Sequence, residues 1–153
     1  MSKPILCLDF DGCLHAYTSG WKGAGVIPDP PVPGALAWMY EASRVFAIVI
    51  YSSRSKEAEG IAAMRMWLTF HAHATLPPSS AEVLLSLVTF AHEKPNAFLT
   101  IDDRAIQFNG DWNVLDPTKL LDFKPWYQPE SQKQPRVIAE EITDSIVHGD
   151  QHA

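Results

Sequence analysis

Three short apolar runs, each followed at once by polar side chains, constrain the fold of this chain more than any other sequence feature. The runs span residues 4–8, 45–51 and 97–101, and they are followed by Asp9, Ser52 and Asp102. Near-continuous apolar runs of about five to seven residues are typical of parallel strands that are covered on both faces. Helix-like patterns lie between the runs, and strands that alternate with helices predict βαβ units. We therefore expect an α/β fold with a central parallel sheet.

Weaker patterns predict the remaining elements. Two further strand candidates are residues 73–76 and 112–115. Amphipathic spacing and capping residues predict helices over residues 34–44, 56–70, 82–92 and 135–147. These elements continue the alternation of strand and helix along the chain.

The length of 153 residues fits one domain. Residues 124–135 are rich in Pro and Gln, which is typical of a connector. We therefore predict a single domain over residues 1–123, with a flap within residues 13–33. Residues 124–153 are predicted to form a connector and a helix that packs on the same domain.

Charge, hydropathy and cysteine usage limit the function classes. The net charge is −6, from 18 acids against 12 bases, which disfavours a protein that coats nucleic acid. Every apolar run is far shorter than the roughly 20 residues of a membrane helix, so we expect no membrane partner. Cys7 and Cys13 have the spacing of neither a metal site nor a disulfide framework. A reducing compartment, and hence the cytoplasm, is the expected location.

The polar clusters contain two pairs of acids. Asp9 and Asp11 flank one residue before Gly12, which allows a sharp turn, and Asp102 and Asp103 follow the last apolar run. Ligands of doubly wound sheets bind beyond the carboxyl ends of the strands, where all these residues are predicted to lie. Carboxylates that share one pocket repel each other unless a cation lies among them, and oxygen ligands alone favour Mg²⁺ over zinc. The alternative is that each acid pair only forms a turn.

The order of these motifs carries a family resemblance. Asp-x-Asp-Gly after the first strand, Ser after the second, Lys94, and then Asp-Asp after a further strand resemble the haloacid dehalogenase (HAD) superfamily of phosphatases. The match runs from about residue 5 to residue 104. The resemblance implies a Rossmann-like, three-layer α/β/α sandwich. It also implies Mg²⁺-dependent hydrolysis of a phosphate monoester through an aspartyl-phosphate.

The resemblance further implies a role for each acid. Asp9 would be the nucleophile, and its carboxylate would bind Mg²⁺ together with the backbone carbonyl of Asp11. The Asp11 side chain would protonate the leaving oxygen and later activate water. Asp102 and Asp103 would complete the metal site, one of them directly and the other through water.

The remaining motif residues would contact the phosphate. Ser52 would donate a hydrogen bond to a phosphoryl oxygen, and Lys94 would pair with the nucleophile and the phosphate. The predicted substrate contacts are Gly12, Ser52, Ser53, Arg54 and Lys94. The structural alternatives are that the serines cap the next helix and that Lys94 is solvated.

The segments between the motifs are too short for a full cap domain. Residues 13–33 suffice for a flap, and residues 53–93 are largely used by two helices. A nearly capless site suits a large phosphorylated substrate, such as a phosphoprotein or a nucleic-acid end, although a small molecule is also open. A second copy in a homodimer could serve as the lid. The flap residues Tyr17 and Trp21 could stack on a substrate or pack the flap onto the body, and His15 could reach the site or bond locally.

Two other functions remain open at this stage. The first is a catalytically silent binding or regulatory module that keeps the fold. The second is a phosphotransferase that passes the phosphoryl group to an acceptor other than water. The residues do not separate phosphoryl transfer from hydrolysis.

Overall fold

A computed structural model describes residues 2–127 of the chain. Its four strands are β1 (Ile5–Leu8), β2 (Ala47–Ile50), β3 (Thr89–Phe90) and β4 (Leu99–Ile101). They form one parallel sheet in the order β3-β2-β1-β4. The register places Leu8 beside Ile50 on one side and beside Ile101 on the other. The predicted α/β fold with a parallel sheet is confirmed, and the chain leaves β1 and β4 at the same edge.

Helices lie between β1 and β2, between β2 and β3, and after β4. They are α1 (Ala35–Ala42), α2 (Ala58–Thr75), α3 (Pro78–Leu87) and α4 (Pro117–Leu120), with short 3₁₀ helices at Ser53–Lys56 and Trp112–Val114. α1, α2 and α3 contact one another. Their buried residues, including Leu36, Met64 and Leu84, belong to the same core cluster as the strand residue Leu8. The second helical layer of the three-layer sandwich stays a prediction.

The core anchors the loop that follows β1. Phe10 lies between Asp9 and Asp11 and is fully buried. Its ring packs edge-on against Trp67 of α2, with 4.9 Å between the ring centroids. Since the side chain between the two acids is fixed in the core, the backbone that carries both acids is held at the edge of the sheet.

Two predicted strands are wrong. The first is the strand predicted over residues 73–76: α2 continues through Thr75, and the following Pro77-Pro78 pair ends the helix. The buried Ala72 in the last turn keeps this part of the helix on the core. Residues 112–115 form a 3₁₀ turn instead of a strand. The strand that pairs with β2 is β3, which has only two residues and lies inside the predicted third helix.

The chain divides into two compact units. The first contains residues 2–107 together with Pro125–Tyr127, and the described part of the second is Phe108–Lys124. In the second unit, the Asp116 side chain caps α4 by accepting a hydrogen bond from the Thr118 amide at 2.9 Å. The single domain over residues 1–123 stays a prediction, and the helix over residues 135–147 lies outside the described residues. Between residues 2 and 127, no helix is long and apolar enough to cross a membrane.

Candidate active site

The ends of β1 and β4 bring Asp9 and Asp103 together. The Asp9 amide donates a hydrogen bond to the Ile101 carbonyl at 3.0 Å, which continues the pairing of the two strands. One carboxylate oxygen from each acid and the Cys13 sulfur lie within 4.8 Å of one another. The Asp103 side chain is only 2% exposed, and its Oδ2 atom has no hydrogen-bond partner among the described residues. This buried oxygen lies beside the Asp9 carboxylate, and Arg104 Nε is 3.8 Å away, too far for a hydrogen bond.

Burial and the neighbouring acids dominate the electrostatics of the cluster, although Arg104 Nε lies 3.8 Å from Asp103 Oδ2. Burial raises the pKa of Asp9 to about 8, with further contributions from the neighbouring carboxyl groups of Asp103 and Asp102. Burial and the same acids raise the pKa of the Cys13 thiol to about 12. A thiol that keeps its proton is a poor metal ligand, so the oxygen donors dominate this site. Two carboxylates with one orphaned oxygen fit a hard divalent cation such as Mg²⁺.

The structure separates the two acids after β4. Asp102 is exposed, and its Oδ1 atom accepts a hydrogen bond from the Arg104 amide at 2.8 Å. Asp103 points toward Asp9 and Cys13, with its Oδ1 atom 3.9 Å from the Cys13 sulfur. Of the two acids after β4, Asp103 is therefore the one that lies beside Asp9 and Cys13. Asp11 and Asp102 lie outside the group of candidate metal ligands formed by the described residues.

Three hydrogen bonds fix the carboxylate of Asp11. Arg54 donates its Nε–H to both oxygens, at 3.1 and 2.9 Å. The Nδ1 atom of His15 lies 2.8 Å from Oδ1. Because Nε2 of His15 accepts a hydrogen bond from the Asp29 amide at 3.1 Å, the ring proton belongs on Nδ1, which donates to Asp11. His15 therefore donates a hydrogen bond to Asp11 through one ring nitrogen and accepts one from the flap backbone through the other.

Arg54 joins the same carboxylate to the flap. Its side chain is fully buried, and Nη1 donates to the carbonyls of Gly23, Ala24 and Val26 at 2.8, 2.8 and 3.1 Å. The Trp21 ring lies over the guanidinium, 4.7 Å from its carbon. Only Nη2 lacks a partner among the described residues. The predicted contact between Arg54 and a substrate phosphate stays a prediction, and the structure shows Arg54 binding the flap to Asp11.

The serines after β2 form a capping arrangement. Ser52 is buried, and its Oγ atom accepts a hydrogen bond from the Arg54 amide at 3.2 Å. Ser55 Oγ in turn accepts from the Ser52 amide at 3.1 Å, which completes a capping box at the 3₁₀ helix. Since an Oγ lone pair is used for the cap, the hydroxyl proton is the part of Ser52 that could meet a phosphoryl oxygen. Ser53 is exposed.

Lys94 lies in the loop between β3 and β4. Its side chain is exposed, and its ammonium group makes no hydrogen bond or ion pair with another residue of the described range 2–127. Its charge nevertheless acts on the buried Cys7 thiol of β1, whose pKa is raised chiefly by burial and partly lowered by Lys94. Lys94 is thus near β1, but its predicted pairing with Asp9 stays a prediction.

The segment Pro125–Tyr127 covers the turn after Asp11. The sequence did not predict this contact. Trp126 donates its Nε1–H to the Gly12 carbonyl at 2.8 Å. Gly12 has a φ of +79°, and a Cβ atom there would overlap the Tyr127 ring and lie 2.6 Å from Asp103 Oδ2. The aromatic pair was the one available signal, but it lies in a Pro-rich stretch that predicts a connector. Gly12 therefore supports close packing at the site as well as the sharp turn.

The flap aromatics pack against the protein. Tyr17 contacts the rings of His15 and Tyr127, with centroid distances of 5.9 and 5.8 Å. Trp21 lies on Arg54 and is still 43% exposed. Packing of the flap onto the body thus accounts for the contacts of Tyr17 and Trp21. His15 makes a local hydrogen bond, and its partner is Asp11.

Comparison with known proteins supplies no relative for this chain. No family model, no curated protein and no solved structure matches it. The resemblance to HAD phosphatases therefore rests on the four motifs and their order along the chain.

Proposed function

We propose that this chain is a Mg²⁺-dependent phosphatase that hydrolyses a phosphate monoester through an aspartyl-phosphate on Asp9. The finer fold assignment, a Rossmann-like sandwich of the HAD type, is part of the same proposal. One observation carries it: adjacent strand ends bring the carboxylates of Asp9 and Asp103 together, and a buried Asp103 oxygen accepts no hydrogen bond from any described residue. A structural turn has no need for two buried, mutually repelling acids.

The proposed reaction has two steps. A carboxylate oxygen of Asp9 attacks phosphorus, and the bond from phosphorus to the ester oxygen breaks. Asp11, which is a carboxylate in this structure and would take up a proton in the substrate complex, gives that proton to the leaving oxygen. Asp11 then takes a proton from water, whose oxygen attacks the phosphorus of the aspartyl-phosphate. Inorganic phosphate leaves and Asp9 is regenerated. The covalent step divides one difficult hydrolysis into two easier ones, and proton delivery typically contributes about 10² to 10⁴-fold.

The remaining residues would neutralise and position the phosphate. Asp9, Asp103 and the backbone carbonyl of Asp11 would hold Mg²⁺, which supplies positive charge to the phosphoryl oxygens when bound. The Ser52 hydroxyl would donate to one of these oxygens, and Lys94 would supply a second positive charge. Arg54 and His15 would act as positioning residues, because both donate hydrogen bonds to Asp11.

The substrate class and the setting follow from the same proposal. A flap of 21 residues in place of a cap domain leaves the site suited to a phosphorylated small molecule, a phosphoprotein or a nucleic-acid end. A cytoplasmic location and a homodimer stay predictions.

Replacing the nucleophile tests the proposal. Asp9→Asn should lower kcat for p-nitrophenyl phosphate with Mg²⁺ by at least about 10³-fold, because an amide cannot form the covalent intermediate. Glu41→Gln is the matched control, since Glu41 is exposed and pairs with Arg44 on the surface. Circular dichroism would check that both variants fold. Unchanged turnover in Asp9→Asn would overturn the mechanism.

Two further results would redirect the proposal. If the wild-type protein hydrolysed no member of a broad panel of phosphate esters with Mg²⁺, the silent binding module would replace the phosphatase. If added alcohols received the phosphoryl group in preference to water, the chain would be a phosphotransferase. Product analysis by ³¹P NMR separates these outcomes.

A further inference from the structure

An open apolar groove adjoins the acid cluster. Its volume is about 380 Å³, within the range of roughly 300 to 1,000 Å³ that is usual for small-molecule sites. The floor contains Leu8 and Ile101, which are register partners in β1 and β4. These two residues immediately precede Asp9 and Asp102 in the chain. One part of the groove therefore lies at the ends of β1 and β4, next to the acids that follow these strands.

Cys13 belongs to both the groove and the acid cluster. It lines the groove, and its sulfur lies within 4.8 Å of carboxylate oxygens of Asp9 and Asp103. Cys13 is a free cysteine, which packs like a small apolar side chain, so it contributes an apolar wall. A phosphate held at Asp9 would thus project the rest of its ester past Cys13 into the groove.

The opposite wall favours a flat aromatic ring. It consists of residues 32–35 and Trp38 of α1, whose side chain remains 48% exposed. A half-exposed indole offers a ring face on which another aromatic ring can stack. Gly34 leaves open space beside it, because a Cβ atom there would meet nothing within 4 Å.

We propose that this groove binds the leaving group of the substrate, and that this leaving group is an uncharged aromatic ring system. The inference rests on the proposed phosphatase function and narrows its substrate class to aryl phosphate esters. All the lining residues are apolar or glycine, so a charged or heavily hydroxylated leaving group would lose hydration there without gaining a partner. Sugar phosphates and nucleoside polyphosphates are accordingly disfavoured.

A substrate series combined with groove variants tests the proposal. 2-Naphthyl phosphate and phenyl phosphate have leaving groups of similar acidity but different apolar area, and ethyl phosphate has no ring. For the wild type, kcat/KM should be about 3- to 10-fold higher for the naphthyl than for the phenyl ester, as expected for one added ring contact. The ratio between two esters within one variant cancels general losses of activity.

Two variants should change this ratio in a specific way. Trp38→Ala should bring the naphthyl-to-phenyl ratio close to one, while Trp38→Phe should retain most of the preference. Val32→Phe, which fills the groove, should raise KM for the naphthyl ester and leave ethyl phosphate unaffected. Phe70→Ala on α2 is the control, since Phe70 is an exposed aromatic residue outside the groove lining. A ratio that stays unchanged in both groove variants would overturn the proposal.

A binding measurement separates this inference from the phosphatase proposal. 2-Naphthylmethylphosphonate cannot be hydrolysed at its phosphorus–carbon bond, and its Kd can be measured by calorimetry with Mg²⁺ for the wild type and Trp38→Ala. If no ester is hydrolysed but Trp38→Ala weakens phosphonate binding about 3- to 10-fold, the groove stands and the phosphatase proposal falls. If esters are hydrolysed and neither binding nor the substrate ratio depends on Trp38, only the groove assignment falls.

Discussion

At the scale of single residues, Gly12 carries two separate constraints. Its φ of +79° is in the left-handed region, where side chains are strained. In addition, a side chain there would collide with Tyr127 and with the buried carboxylate of Asp103. The proposed metal ligand and the covering aromatic segment therefore both depend on a missing Cβ atom.

Another glycine of the flap allows these constraints to be tested separately. Gly20 has a similar φ of +71°, but a Cβ atom there would meet nothing within 4 Å. Gly20→Ala should therefore cost only the backbone strain, on the order of 1 kcal/mol of unfolding free energy. Gly12→Ala should cost about 2 to 4 kcal/mol, because overlap is added to strain, and should lower kcat/KM about 10-fold or more.

Chemical denaturation and the aryl phosphatase assay provide the two readouts. Equal losses in Gly12→Ala and Gly20→Ala would show that backbone strain alone matters and that the packing of Tyr127 and Asp103 at Gly12 does not. A loss of stability without a loss of activity in Gly12→Ala would separate the turn from the proposed metal site.

The acids could be predicted from sequence, whereas their partners could not. Asp9 directly follows one apolar strand and Asp103 is the second residue after another, so a local pattern and the rule for strand ends suffice to bring them together. The pairing of Arg54 with Asp11 joins residues 43 positions apart, and no local pattern indicates it. His15 has the spacing for a contact with Asp11, but its role depends on the flap amide of Asp29, which only the folded loop supplies.

At the scale of elements, the Arg54 side chain ties the tip of the flap to the body. Arg54 extends from the 3₁₀ helix after β2 and donates to three flap carbonyls and to Asp11. Hydrogen bonds from Val32 to Leu14 and from Ala16 to the Pro30 carbonyl close the base of the flap. The flap is thus fixed at its base by its own backbone and at its tip by Arg54.

Removing this tie should destabilise the protein strongly. Arg54→Ala is expected to lower the free energy of unfolding by about 3 to 5 kcal/mol, because it leaves Asp11 as a largely buried charge without its cation. Arg44→Ala is the matched control: Arg44 pairs with Glu41 at 3.4 Å, but both side chains are more than half exposed. That exposed pair should contribute less than about 1 kcal/mol.

Denaturant titration of both variants measures the difference, and limited proteolysis shows where the chain opens. New cleavage in Arg54→Ala should fall within residues 20–27 of the flap. Protection of the flap equal to that of the wild type, or equal destabilisation by the two variants, would contradict the role of Arg54 as a tie.

Element prediction succeeded where the core imposes a long apolar run and failed where it does not. β1, β2 and β4 lie within the predicted runs, trimmed by one to three residues. β3 has two residues, too few to show a periodicity, and was absorbed into a predicted helix. The end of α2 has the alternation of a short strand, but its buried Ala72 and the prolines after Leu76 favour a longer helix.

At the scale of the whole molecule, part of the net negative charge is concentrated in one buried pocket. The net charge of −6 includes Asp9 and Asp103, which are crowded into one pocket with a protonated thiol. Like charges in a buried site destabilise the folded state relative to the unfolded chain, where they are solvated and separate. The folded protein therefore gains stability from whatever neutralises this pocket, and length and composition alone do not reveal this dependence.

Mg²⁺ should consequently stabilise the whole fold. A ligand that binds only the folded state at about 100 times its Kd adds about 2.7 kcal/mol to the free energy of unfolding. For a chain of this size, each kcal/mol corresponds to about 2 to 4 °C, so Tm should rise by about 5 to 10 °C. Thermal unfolding with Mg²⁺, compared with NaCl at equal ionic strength, separates specific binding from screening.

The effect of Asp103→Asn on stability should differ between protein without Mg²⁺ and protein with Mg²⁺. Without Mg²⁺ and above about pH 8, where Asp9 is ionised, the variant should be as stable as the wild type or more stable, because one of two like charges is gone. With Mg²⁺ it should lose most of the rise in Tm, because the orphaned Oδ2 atom and its charge are no longer available to the cation. Asp102→Asn should retain most of the rise, since Asp102 is exposed and lies outside the cluster. If Asp103→Asn kept the full rise, or if NaCl reproduced it in the wild type, the cation would not bind between Asp9 and Asp103.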